Sequence, residues 1–253
     1  MTFRIVFNLY PYQNLLLLPS ANIVQVGKDG QLSHLAQRAT IATVGAYDLA
    51  PDETELKLLE IIDLLAPKTL EAKFKAPKAK TWPTLAQLLA DVATKPVVEK
   101  YIFGKLDLFF FEIKQHSLPL TLDVERKTLA KDVLIDCPET ELVPHLYFRK
   151  TPASGIEYRL KLGTETDSWE INTHDIRPLT NTDPAWILDG HTLYRVPGIN
   201  GNMVKPFLQK EAVLIPPDKA RNYFRQFIAK SVRRSRVEAE GFRWSRPIPC
   251  ASR

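Results

Sequence analysis

The chain has 253 residues, 45% hydrophobic and 25% charged, with two cysteines and a net charge of +5. This length sustains a core without disulfides or metal, the composition is that of a globular domain rather than a disordered one, and no apolar run approaches the roughly 20 residues of a membrane helix. The charge is uneven: from Lys219 onward ten basic residues face two acidic ones, a local +8 that leaves −3 on residues 1–218, and a basic end on a mildly acidic body points to an anionic partner.

In "MTFRIVFNLY", Phe3, Ile5, Phe7 and Leu9 alternate, which predicts a half-buried strand. The stretch has neither the charged leader nor the small-residue cleavage site of a secretory signal. With Cys137 and Cys250 as its only cysteines, the chain is expected in a reducing cytoplasm. "NIVQVGKDG" reads as a second strand closing in a glycine turn. "PDETELKLLEIIDLL" predicts a helix capped by Asp52 and Glu55, with Leu58, Ile61, Ile62 and Leu65 as its buried stripe. Residues 73–83, rich in lysine, alanine and proline without periodicity, predict an exposed linker or long loop. "TWPTLAQLLADV" follows as a capped helix with Leu85, Leu88, Leu89 and Val92 on one face.

In "KPVVEKYIFGKLDLFFFEIKQHS", Val98, Tyr101, Ile102, Leu106, Phe109 and Ile113 share one helical face, whereas Phe103, Leu108, Phe110 and Phe111 fall outside it. A helix apolar nearly all round is expected to be buried on several sides. "LDLFFFEIK" reads equally as a short buried strand. From about residue 118 the texture becomes one of short β-type runs, ending in the hairpin "AWILDGHTLYRV", where Asp-Gly fits a type I′ turn. "IPPDKARNYFRQFIAKSV" then returns to helix, with its apolar stripe running from Ala220 to Val232. The expected fold is α+β: a mixed N-terminal part over residues 1–117 and an antiparallel, β-rich part over 118–253 closed by a C-terminal helix.

Signatures of chemistry are sparse. "IFGKLD" lacks the upstream glycine and following Ser/Thr of a phosphate loop, and no Gly-x-Gly-x-x-Gly is present. The histidines at 34, 116, 145, 174 and 191 have no metal-ligand spacing, although His145, His174 and His191 lie in β-type segments. Glu112 and Lys114 in "FFFEIK" mimic the Glu-x-Lys of metal-dependent nucleases, with Asp107 as the only near partner acid. No catalytic residue, metal or cofactor is therefore expected.

The basic end is the candidate binding element, with Lys230, Arg233, Arg234, Arg236, Arg243 and Arg246 as the residues for nucleic acid. Arg233, Arg234 and Arg236 are spaced to engage successive phosphates, and Trp244 between Arg243 and Arg246 adds a stacking face. "RVEAEGF" between them reads as a strand followed by a glycine turn, so the segment is not a purely solvated polybasic arm.

Over residues 143–242 the landmarks "YRLKL", "PAWIL", "LYRV", "KPFL", "IPPDKARNYFRQFI" and "EAEGF" resemble the region preceding the motor in bacterial, Bacteroidetes-type Swi/Snf helicase-like ATPases. In that family two RecA-like lobes follow; here the chain stops about ten residues past "AEGF". The resemblance implies an accessory, non-catalytic piece lacking its motor, with DNA and the ATPase domain as partners. The family's ATPase residues have no counterparts in this chain.

Overall fold

The computed structural model describes residues 2–75, 82–152, 155–164, 166–223 and 235–242. The alternation at the start becomes β1 (Thr2–Tyr12), which pairs along its whole length with antiparallel β2 (Leu16–Val26) through a turn that sets Gln13 and Asn14 at positive φ. β2 is longer than the sequence pattern suggests because it is buried on both faces from Leu17 to Val24 and so lacks a period of two. Its Pro19 lies where β3 (Leu32–Arg38), which pairs with Asn22–Val26, does not reach, so the missing N–H breaks no ladder there.

Four helices cover one face of this sheet. Asp52 caps α1 (Glu53–Leu65) as a reciprocal box, its Oδ1 accepting from Glu55 N at 2.7 Å while Glu55 Oε2 accepts from Asp52 N at 3.1 Å. α2 (Pro67–Lys73), unseen in the sequence pattern, restarts the helix at Pro67 after Ala66 adopts an extended conformation. It ends at Lys73, the first residue of the expected linker; residues 76–81 of that stretch lie outside the described residues. α3 (Leu85–Ala90) is capped by Thr84 and ends earlier than expected. Asp91 leaves the helix, its carboxylate accepts from Thr94 N at 2.9 Å, and Val92 is left 88% exposed rather than on the buried face.

α4 (Lys95–Gln115) is one uninterrupted helix, so the strand alternative at "LDLFFFEIK" is overturned. Val98, Ile102, Leu106, Phe109, Phe110 and Ile113 are buried. Val97, Leu108 and Phe111 are 59%, 45% and 48% exposed, so the helix is not enclosed on several sides. Gly104 sits in its interior with open space where a Cβ would stand. Gly104→Ala is therefore expected to raise stability by about 1 kcal/mol, seen as a later urea midpoint.

β4 (Leu120–Leu122) then pairs parallel with Phe7–Leu9 of β1, and β5 (Leu134–Ile135) pairs with β4, completing a sheet in the order β3-β2-β1-β4-β5. The chain beyond residue 117, whose texture groups it with the β-rich part, thus first returns to the N-terminal sheet. On the face away from the helices, Asn8 donates to Ser20 Oγ at 3.2 Å and accepts from Thr121 Oγ1 at 3.1 Å, which satisfies polar groups that burial would otherwise penalise.

The remaining strands form two further sheets. β6 (Val143–Lys150), β7 (Ile156–Gly163) and β8 (Ser168–Glu170) belong to one; β9 (Ile176–Pro178), β10 (Ala185–Asp189) and β11 (Thr192–Val196) form a three-stranded antiparallel sheet in the order β11-β10-β9. The β10–β11 loop is Gly190-His191, and of these two Gly190 alone has positive φ, as in a type II′ rather than the expected type I′ turn. Asp189 pairs with Thr192, which moves the turn one residue along. β10 is buried on both faces: Trp186 and Leu188 join the helix-covered core, whereas Ala185 and Ile187 join a second core under β6 and β7. Trp186 Nε1 donates to Asp107 of α4 at 2.7 Å, and its ring lies 5.5 Å from Phe110.

After α5 (Gly201–Val204), capped by Asn200, come β12 (Val213–Ile215), α6 (Pro217–Tyr223) and β13 (Arg236–Glu240). The rest of the expected C-terminal helix, to Val232, lies outside the described residues. The fold is α+β. Among the described residues no helix is long and apolar enough to cross a membrane.

Candidate nucleic-acid interface

Of the six residues singled out in the basic end, Lys230, Arg233, Arg234, Arg243 and Arg246 lie outside the described residues. Arg236 opens β13, an exposed position on an edge strand. The strand ends where Gly241 takes φ +81°, a conformation glycine adopts without strain. Ala239 and Phe242 pack against the second core, so this part of the basic end is built into the sheet.

β13 joins β6 in parallel, in the order β12-β7-β6-β13, with β8 also on β7. The alternation of β6 and β7 sends Leu146, Phe148, Tyr158, Leu160 and Leu162 inward, and polar residues outward. Register then sets the outward side chains in rows. Arg236 stands beside His145, which stands beside Lys161 and then Glu170; Glu238, Tyr147 and Arg159 form the next row; Glu240, Arg149 and Glu157 form the third. A shallow cavity of about 290 Å³ opens over the first two rows, lined by Arg236, Glu238, His145 and Lys161 among others.

Electrostatics on this face is largely settled internally. Glu157 accepts from Arg149 at 2.6 Å and from Arg159 at 2.8 Å, and these two guanidinium groups hold its carboxyl below the usual range. Arg159 also pairs with Glu211, and Lys161 with Glu170 at 2.8 Å. Tyr147 donates to Glu240, a bond that raises its phenol above its ordinary value. His145 Nε2 lies 3.1 Å from Thr164 O. Three of the four cations on the face are thus matched by carboxylates; among the described residues Arg236 is the one with no ion pair.

Beneath the face, Tyr158 stacks on Phe148 at 5.0 Å and meets Phe207 and Tyr223, and its hydroxyl makes no hydrogen bond among the described residues. Burial pushes the Tyr158 phenol far up and that of Tyr223 up to about 12. Both therefore stay protonated in the folded chain while unfolded phenols ionise near pH 10. Their contribution is complete below about pH 10 and falls above it, by about 1.4 kcal/mol per pH unit for each phenol. Tyr158→Phe is expected to leave neutral-pH stability nearly unchanged and to remove one proton's share of that alkaline decline, measured as urea midpoints from about pH 9 to 11.5.

The other sequence-level candidates are dispersed. Glu112 pairs with Lys57, and His116 lies 3.5 Å from it. Lys114 Nζ is buried without a hydrogen-bond partner among the described residues, and burial depresses its ammonium. Burial, then Asp136, pushes the Cys137 thiol up to about 11, the reverse of an activated nucleophile. His174 pairs with Asp189 at 2.9 Å, and His191 sits in the hairpin turn. No group of three or more His, Cys, Asp or Glu among the described residues is placed to hold a metal.

Arg149, Arg159 and Lys161 carry no motif in the sequence, and His145 stands there only as a histidine of a β-type segment. Their alternation with buried residues marks them as outward-facing, but the parallel register that brings Arg236 beside them has no local signature. Comparisons with family models, curated proteins and solved structures found no match.

Proposed function

We propose that this chain is a non-catalytic accessory domain of a DNA-dependent Swi/Snf-type ATPase, one that positions DNA or regulates the motor. The basic segment on either side of β13 meets phosphates, and Arg236 is its contact on the sheet. The observation that carries the reading is Arg236: exposed, unpaired among the described residues, and fixed on a strand between Lys230, Arg233 and Arg234 on one side and Arg243 and Arg246 on the other. The resemblance of residues 143–242 to the region ahead of such motors supplies the setting. Arg236→Ala is expected to weaken duplex DNA binding and to reduce the slope of log affinity against log salt by about 0.9, one phosphate's worth, in fluorescence anisotropy. An unchanged slope removes Arg236 from the contacts.

A second reading is an independent nucleic-acid-binding or protein-interaction module. The pairing of Arg149, Arg159 and Lys161 with carboxylates favours its protein-interaction form, because phosphate would have to displace existing partners. It predicts that the chain, on its own, completes its interaction without an ATPase.

A further inference from the structure

We propose that the outward face of α4 is a docking groove for an acidic amphipathic helix of another protein, a site separate from the basic end. Val97, Tyr101, Gly104, Leu108 and Phe111 follow one another at steps of four, three, four and three, the spacing of a coiled-coil seam. At about 100° per residue they form a narrow stripe on the side of the helix away from Ile102, Leu106 and Ile113. α4 is therefore apolar on two sides; one is buried in the core, and of the other only Tyr101 packs against the core's edge, half-buried. Three members of the stripe, or of the outer face around it, are about half exposed: Val97, Leu108 and Phe111. Exposed apolar surface arranged this regularly, on a helix whose other side already secures the fold, marks an interaction surface.

The stripe borders an open, shallow depression. Beside α4, Phe74 at the end of α2 packs edge-on against Tyr101, and the depression there has a volume of about 390 Å³ and is lined also by Gly104 and Leu108. Among the described residues nothing lies within 4 Å of where a Cβ on Gly104 would stand. Glycine is the poorest helix residue after proline, and no described residue packs into the gap it leaves; a helix laid along the groove approaches closest there.

Charge selects the occupant. Lys73, Lys100 and Lys105 rim the groove. Lys73 lies 4.7 Å from the Tyr101 ring centroid, and among the described residues none of the three has an ion pair. Among the described residues no carboxylate lines the groove, and Glu112, next to Phe111 in the chain, is engaged by Lys57. A second copy of this chain presents the same basic rim, and the stretch that follows α2 adds Lys75, Lys78 and Lys80 of the same sign. Carboxylates flanking an apolar stripe are the complement, in the helix-in-groove mode.

The test uses the full chain and two synthetic helical peptides of about 21 residues, both with leucine at a and d, one with glutamate and one with lysine at e and g. Anisotropy is expected to show binding of the glutamate peptide at least about tenfold tighter than the lysine peptide. Leu108→Glu should lower that affinity at least about tenfold, and so should Gly104→Ala, while the latter chain unfolds at higher urea than the parent. The stability gain separates a filled groove from a damaged fold. Equal binding of the two peptides, binding of neither, or Leu108→Glu without effect overturns the proposal. So does concentration-dependent self-association in sedimentation that Leu108→Glu abolishes, which assigns the face to a second copy. Preferential binding to phosphatidylserine vesicles over the glutamate peptide also overturns it, and assigns the face to a lipid surface.

Discussion

Replacing Lys230, Arg233, Arg234 and Arg236 together by alanine is expected to weaken duplex DNA binding and to flatten its salt dependence by about 3.6 in slope, 0.9 for each phosphate contact removed. Between about 50 and 200 mM salt the parent chain should then lose roughly two orders of magnitude more affinity than the variant. The measurement is a salt series of fluorescence anisotropy with a labelled duplex. Arg177→Ala with Lys205→Ala is the control, since these cations lie beside another groove of the molecule. The slope carries the argument, because a partly unfolded variant loses affinity at every salt concentration, whereas a lost phosphate contact changes the count of released counterions. A variant whose slope matches the parent's shows that these four residues face something other than a phosphate backbone.

The largest expected effect on stability lies at Trp186. Its side chain is fully buried, touches Phe110 of α4, and gives its indole N–H to Asp107. Trp186→Ala should cost about 3–5 kcal/mol, the range for emptying an aromatic site in a core, which is a large part of the roughly 5–15 kcal/mol that holds an ordinary domain together. Asp107→Ala leaves the indole N–H without its partner and should cost about 1–3 kcal/mol. Because Ala185 and Ile187 on the same strand belong to the second core, both losses should appear as one transition shifted equally by fluorescence and circular dichroism. A Trp186→Ala chain within about 1 kcal/mol of the parent, or one whose two probes separate, would show that β10 does not unite the two cores.

The elements legible in the sequence are those whose signals are local. Phe3 to Leu9 announce β1 by alternation, Asp52 with Glu55 announces the start of α1, and "RVEAEGF" announces β13 and its Gly241 turn. β2 was legible only in its second half, because Leu17, Leu18 and Ala21 are buried on both faces and no period survives two-sided burial. Val92 shows the opposite failure: its spacing places it on the buried face of α3, but Asp91 and Thr94 turn the chain before it gets there. On α4 the periodicity marks the core face, since Val98, Ile102, Leu106, Phe109 and Ile113 are buried, but it leaves Phe110, also buried, and Leu108 and Phe111, both half exposed, without a distinction. At the candidate site Arg236 was legible as a basic residue on a strand. Its neighbours were not, since the parallel pairing that sets β13 beside the β6–β7 hairpin joins residues some 90 positions apart.

That pairing has a consequence for synthesis. β6 receives β7 within a few residues, but its other flank is filled by β13, which leaves the ribosome about 90 residues later. Until then a row of backbone donors and acceptors on β6 stands open to any passing strand, the circumstance in which nascent chains stick to one another. Chains halted before Ser235 should accumulate in inclusion bodies, and supplying residues 235–242 as a separate peptide should keep part of them in solution.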